Sequence, residues 1–124
     1  MNSELPIYNR TDGTVIIAGD TDPTKAGRCA AYFFKKNQFP IDFLCIGVEA
    51  NQQAMKAMGF FRSLLLEARL NIDVSFVPLR FTTITTDENK LEEAKDCTAW
   101  RSIFNIQQDK DSTYEIQRSV KIVV

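Results

Sequence analysis

Histidine is absent from this chain. Its absence removes Ser-His and Cys-His nucleophile activation, imidazole general-base chemistry and every zinc set that needs an imidazole ligand. Cysteine is scarce: Cys29, Cys45 and Cys97 lie far apart, with no C-x-x-C pair. An odd, scattered set favours reduced thiols acting as small hydrophobes over redox or metal chemistry. No run of about 18 apolar residues is present, which excludes a membrane helix. The opening Met1-Asn2-Ser3-Glu4 lacks the basic start and apolar run of a signal peptide, so the expectation is a soluble, cytoplasmic protein without a membrane partner. A basic excess is missing as well: 15 Lys and Arg stand against 16 Asp and Glu, a net charge of −1. Proteins that bind nucleic acid mainly through phosphates usually carry a clear positive surplus. Finally, no G-x-x-x-x-G-K-[ST], G-x-S-x-G or H-E-x-x-H run occurs. Asp20, Asp22, Asp42 and Glu49 come nearest to a carboxylate set at strand ends, but Asp22 reads as a helix cap and Glu49 as a first-turn residue. A non-enzymatic protein with no cofactor and no metal site is expected.

What the chain does have is a strand, helix, strand pattern of the right size for one domain of 124 residues. Residues 42–48 carry the apolar run Phe43, Leu44, Cys45 and Ile46, as in a central strand covered on at least one face, and Gly47 permits a sharp exit. Over residues 50–69, Ala54, Met58, Phe61, Leu65 and Ala68 recur at spacings of four and three, one stripe of a helix facing a sheet. Phe60 and Leu64 widen that stripe, which suggests a second contact, most simply with another subunit.

Upstream, residues 1–12 read as an irregular lead-in, and residues 14–19 as a short strand too apolar for a solvated edge. Asp22 followed by Pro23 signals a helix start, predicting a first helix over 23–37 that buries Ala26, Ala30, Phe33 and Phe34 before Pro40 stops it. Gly27 and Gly59 fall inside the two helices, each at a cost of about 1 kcal/mol relative to alanine. Either a close approach of the helices offsets that cost or the glycines are merely tolerated.

Downstream, residues 72–86 alternate at Ile72, Val74 and Phe76, then shift phase to Val77, Leu79 and Phe81 around Pro78. That shift predicts a bulge or bend on an edge strand, running past the sheet as one limb of an arm. The charged insertion 87–97 predicts a short helix capped by Asp87. A fourth strand is expected over about 98–107. Alternation resumes at Tyr114, Ile116, Val120, Ile122 and Val124, so an extra strand over about 113–124 closes a hairpin with it. The expected whole is an α/β sandwich in one domain over 13–124, with two crossovers placing both helices on one face of a mixed sheet.

Three segments carry a family resemblance. The run D-T-D-P-T-K-A-G-R at 20–28 corresponds to a helix opening S-N-P-N-S-V-A-G-A, I-G-V-E-A-N-Q-Q-A-M-K-A-M at 46–58 to I-G-A-G-A-L-N-Q-A-V-K-A-V, and I-D-V-S-F-V-P-L-R-F at 72–81 to V-D-L-I-C-I-P-A-F. The chain therefore resembles the stage V sporulation protein S family and, through it, the Alba-like proteins, over roughly residues 14–86. The resemblance implies a β-α-β-α-β-β fold, to which this chain adds a C-terminal strand, and a dimer or higher oligomer that binds DNA or RNA. Carried over by position, the implied nucleic-acid contacts are Lys25 and Arg28 on the first helix, Asn51, Gln52, Lys56 and Arg62 on the second, and Arg80 at the base of the arm. Lysine and arginine suit phosphate oxygens, and asparagine and glutamine suit backbone or base edges. Unlike a basic arm, residues 87–97 hold Asp87, Glu88, Glu92, Glu93 and Asp96 against Lys90 and Lys95, which a phosphate backbone repels. An assembly or adaptor module, using the same fold for protein or small nucleotide-like ligands, is the alternative reading.

Overall fold

A computed structural model describes the backbone of residues 5–70, 72–86 and 92–106, and the side chains of these apart from 83–86, 92–96 and 106. The expected strand over 113–124 and the middle of the charged insertion lie outside the described residues. The elements are β1 (Gly13–Ile17), α1 (Pro23–Lys35), β2 (Ile41–Ile46), α2 (Ala50–Glu67), β3 (Ile72–Thr86) and β4 (Glu92–Ile106). They give the expected Alba-like β-α-β-α-β-β order. The sheet runs β1-β2-β4-β3, with β1 and β2 parallel and both other pairings antiparallel.

Both helices pack on one face of this sheet. Val15 and Ile17 of β1, Ile41, Phe43 and Cys45 of β2, and Val74 of β3 form one buried cluster with Ala26 and Ala30 of α1 and Ala54, Ala57, Met58, Phe61 and Leu65 of α2. Phe43 and Phe61 are fully buried, each removing about 1.5–3 kcal/mol worth of apolar surface from water. The helical stripe read from spacing is thus the buried stripe, apart from Ala68, which is exposed. Part of its extra width is absorbed within the chain: Phe60 lies against Gly27 of α1, where an added Cβ would come within 3.0 Å of the Phe60 side chain and 3.1 Å of the Ala57 carbonyl oxygen. Gly27 therefore marks the close approach of the two helices, whereas around Gly59 there is open space.

Asp22 caps α1 as its sequence position implies, its Oδ1 accepting the Thr24 N–H at 2.9 Å. The helix ends earlier than Pro40 would require. Asn37 turns left-handed at φ +58°, and the N–H groups of Asn37 and Gln38 donate back to the Phe34 and Phe33 carbonyls. This is a Schellman stop. Helix α2 closes the same way around Arg69 at φ +57°, with Arg69 N–H donating to Leu66 O and Leu70 N–H to Leu65 O.

Two expectations are corrected in the hairpin. Register between β3 and β4 is continuous from Ile72 opposite Ile106 to Thr86 opposite Glu92, so no bulge accompanies Pro78. The phase shift reflects a change of buried face instead. Val74 and Phe76 face the helices, while Phe81 faces the opposite side and packs with Leu44, Cys97, Ala99 and Tyr8. Pro78 lies on the edge strand, with the parity of Thr82, whose N–H points away from β4 to Pro6 O at 2.8 Å, so the proline removes no ladder bond. The second correction concerns residues 92–96, expected in a short helix. They are strand, templated by β3, because backbone pairing over 15 residues outweighs a charged segment's local preference.

The far face of the sheet is crossed by the N-terminal lead-in. Ile7 bridges Thr82 on the outer edge of β3, and the Tyr8 ring meets Phe81 edge-on at 5.1 Å. The Tyr8 hydroxyl donates to Asp42 Oδ2 at 2.8 Å and lies 2.8 Å from Thr14 Oγ1. Asp42 is fully buried and receives two further bonds from Arg101. A lead-in that reads as irregular is therefore a strap fastened at both margins of the sheet.

Candidate functional site

Because β1 and β2 are parallel, the two helices that follow them begin at the same end of the sheet. The arm leaves from that end too. The last β2 residue paired with β4 is Ile46, opposite Cys97, and beyond it residues 82–86 and 92–96 pair with each other. At about 3.4 Å per residue, that arm extends on the order of 17 Å past β2.

Local bonds fix the junction. Gly47, at φ +96°, turns the chain out of β2 with open space around it. The Gln53 side chain donates through Nε2 to the Thr21 carbonyl at 2.8 Å, and Glu49 leans over Gly19, so the β1–α1 loop and the first turn of α2 are tied together. Trp100 on β4 donates its Nε1–H to Asn51 Oδ1 at 3.2 Å, holding the Asn51 amide from the sheet side.

Below this junction lies a pocket of about 190 Å³ lined by Cys45, Gly47, Val48, Asn51, Arg80, Cys97 and Thr98. Burial pushes the Cys45 thiol up to about 11, with Cys97 nearby adding to the shift, so Cys45 stays a neutral thiol at physiological pH. Val48 at the rim is 89% exposed. The pocket thus joins a neutral sulfur-bearing floor to an amide, a hydroxyl and a guanidinium.

Of the residues singled out from sequence, Lys25 and Arg28 are exposed in the first two turns of α1, and Gln52 and Lys56 are exposed in the first two turns of α2. Asn51 and Arg80 meet at the pocket although they are far apart in the chain. Arg62 stands apart from them. It lies ten residues beyond Gln52, about 15 Å along the helix axis at 1.5 Å per residue. It turns to the start of β3, with Nη1 donating to Val74 O at 3.3 Å and Nη2 lying 3.2 Å from Asp73. The carboxylates do not form one set either. Asp42 sits at the start of β2 in its ion pair, while Asp20, Asp22 and Glu49 lie at the other end of the sheet. Among the described residues no group of three or more His, Cys, Asp or Glu is arranged to hold a metal ion, and no helix is long and apolar enough to cross a membrane.

Sequence reading missed the Trp100–Asn51 bond and the pocket that Thr98 and Cys97 complete. No local signal carries them, because the bonded residues are 49 positions apart and meet only through the β2–β4 ladder.

No curated protein matches the chain. Among solved structures it is similar to Alba1 from Trypanosoma brucei, with 10% sequence identity, a TM-score of 0.44 and coverage of 93% of this chain and 87% of that one. The family of stage V sporulation protein S (SpoVS) matches residues 13–100, from the first residue of β1 to the stretch of β4 that crosses β2. The match spans well over half the chain and contains both helices and the pocket, and the chain belongs to the stage V sporulation protein S family.

Proposed function

We propose that this protein is a non-catalytic nucleic-acid-binding protein that works as a dimer or higher oligomer, engaging its ligand with the end of the sheet from which both helices and the arm emerge. The observation that carries the reading is the convergence there of exposed Lys25, Arg28, Gln52 and Lys56 with the pocket of Asn51 and Arg80. Four cations from three elements stand there against Asp20, Asp22 and Glu49, so the attraction is a local excess on a chain of net charge −1. Lys25, Arg28 and Lys56 take phosphate oxygens, and Gln52 and Asn51 take polar groups of backbone or base. Arg62 is left out, because it is engaged at the start of β3. The acidic residues of the arm keep that limb off the phosphates, so binding falls to the helix starts rather than to an inserted hairpin.

Fluorescence anisotropy with labelled single-stranded RNA, single-stranded DNA and duplex DNA at two salt concentrations tests this. Expected is micromolar or tighter binding that weakens steeply with salt and is lost in the Lys25→Glu/Lys56→Glu variant. Absence of binding to all three at low salt refutes it.

A second reading, assembly through protein contacts, is favoured by Met55, 65% exposed on α2, and by Val48, exposed in the turn that precedes that helix. Light scattering tests this contact: Met55→Glu disrupts an oligomer built on this face, whereas a protein that is monomeric before and after the change has no such interface. Since both readings allow an oligomer, the anisotropy titration decides between them.

A further inference from the structure

We infer that the pocket between β2, α2 and the base of the arm holds one unstacked nucleobase, so that the ligand of the proposed site is a single strand rather than a duplex. The inference rests on the nucleic-acid reading above and goes beyond it by naming what is recognised.

Size is the first argument. The pocket encloses about 190 Å³, below the roughly 300–1,000 Å³ of sites that enclose a whole drug-sized ligand. It is suited to a single ring system with the rest of the ligand outside.

Chemistry is the second. The floor carries Cys45, neutral and buried, a soft surface for a flat heteroaromatic ring. Polar groups are few and fixed. Since the Trp100 N–H must find an acceptor, Asn51 presents Oδ1 to it and keeps its two amide N–H donors for another partner. Thr98 adds a hydroxyl from β4, and both groups match the carbonyl and ring-nitrogen acceptors of a base edge. Arg80 supplies positive charge at the same pocket, where the phosphate attached to a seated base would run. Val48 at the rim and the open space over Gly47 leave the mouth accessible.

Access is the third. A base inside a duplex is stacked and paired, and extracting it costs a few kcal/mol, whereas a single strand presents bases already unstacked. The site therefore selects strands.

Trp100 is the sole tryptophan and is bonded to Asn51, so its emission reports occupancy of the pocket. The test titrates the full-length protein with a mixed-sequence 12-nucleotide single strand, a 12-nucleotide abasic strand of the same backbone, the matching duplex, and uridine and guanosine monophosphates, following Trp100 emission and anisotropy together. The expected result is that the strand with bases shifts Trp100 emission and binds about tenfold or more tightly than the abasic strand. The duplex, whose bases stay stacked, binds no more tightly than the abasic strand and leaves Trp100 unmoved. Thr98→Val, which keeps the shape of the side chain, and Asn51→Leu narrow the gap between base-bearing and abasic strands, and circular dichroism verifies that both variants fold. Equal binding of the two strands with Trp100 unmoved overturns the base pocket and leaves the nucleic-acid reading standing. A Trp100 shift with the monophosphates but no binding of any strand supports a base pocket that serves free nucleotides and refutes the nucleic-acid reading. No response to any ligand overturns both.

Discussion

Arg101 grips Asp42 with two prongs across the β2–β4 ladder, Nε to Oδ1 and Nη2 to Oδ2, each at 2.8 Å, and the carboxylate it holds is fully buried while its own side chain is one-third exposed. Tyr8 adds a third bond from the strap. Removing Arg101 leaves a buried charge with the Tyr8 hydroxyl as its remaining side-chain donor. Arg101→Met is expected to cost about 3–5 kcal/mol in urea unfolding. The Asp42→Leu/Arg101→Met double variant is expected to cost clearly less than the sum of the two single changes, because neither charge is then stranded.

The Tyr8 phenol is pushed up to about 12, chiefly by burial, with the Asp42 carboxylate adding to the shift. The folded state therefore retains a proton that the unfolded chain releases near pH 10, and stability from this group is complete below pH 10 and lost as pH rises toward 12. Cys45 and Arg101 are shifted in the same direction. Unfolding free energies measured from pH 9 to 12 should decline more steeply for the wild type than for Tyr8→Phe, the difference between the two curves isolating the phenol.

The two helical glycines should respond oppositely to alanine. At Gly59 there is open space, so Gly59→Ala is expected to stabilise by about 0.5–1 kcal/mol through helix propensity. At Gly27 the new methyl meets Phe60 and the Ala57 carbonyl, so Gly27→Ala is expected to destabilise by about 1 kcal/mol despite the same propensity gain. Thermal and urea melts of the two variants check the signs.

Arg69 occupies a left-handed position that favours glycine. Arg69→Gly is expected to raise stability by about 0.5–1 kcal/mol, since relief of side-chain strain exceeds the added freedom of the unfolded chain. An unchanged or lower urea midpoint contradicts this account of the helix stop.

Local order was legible where one residue's chemistry sets the outcome. Asp22 before Pro23 marks the start of α1, the spacing of Ala54, Met58, Phe61 and Leu65 marks the buried face of α2, and the apolar alternation marks the full extent of β3. Those features depend on dihedral preference, free backbone donors and solvent, all of which act within a few residues. The sequence also determined the balance of charge and the absence of imidazole chemistry. Only the tertiary structure decided which face of β3 each apolar residue serves, because alternation tells that a side chain is buried and not which layer covers it. Likewise, pairing with β3 made residues 92–96 a strand against their local charge, and the β2–β4 ladder, which sets Arg101 opposite Asp42, turned Asp42 from a candidate acid into a buried ion-pair partner. The site follows the same division. Lysines and arginines can be read from the chain, but parallel β1 and β2 bring the helix starts together, and the β2–β4 ladder brings Trp100 to Asn51 and Thr98 to the pocket. Those meetings depend on long-range register, which no residue encodes alone.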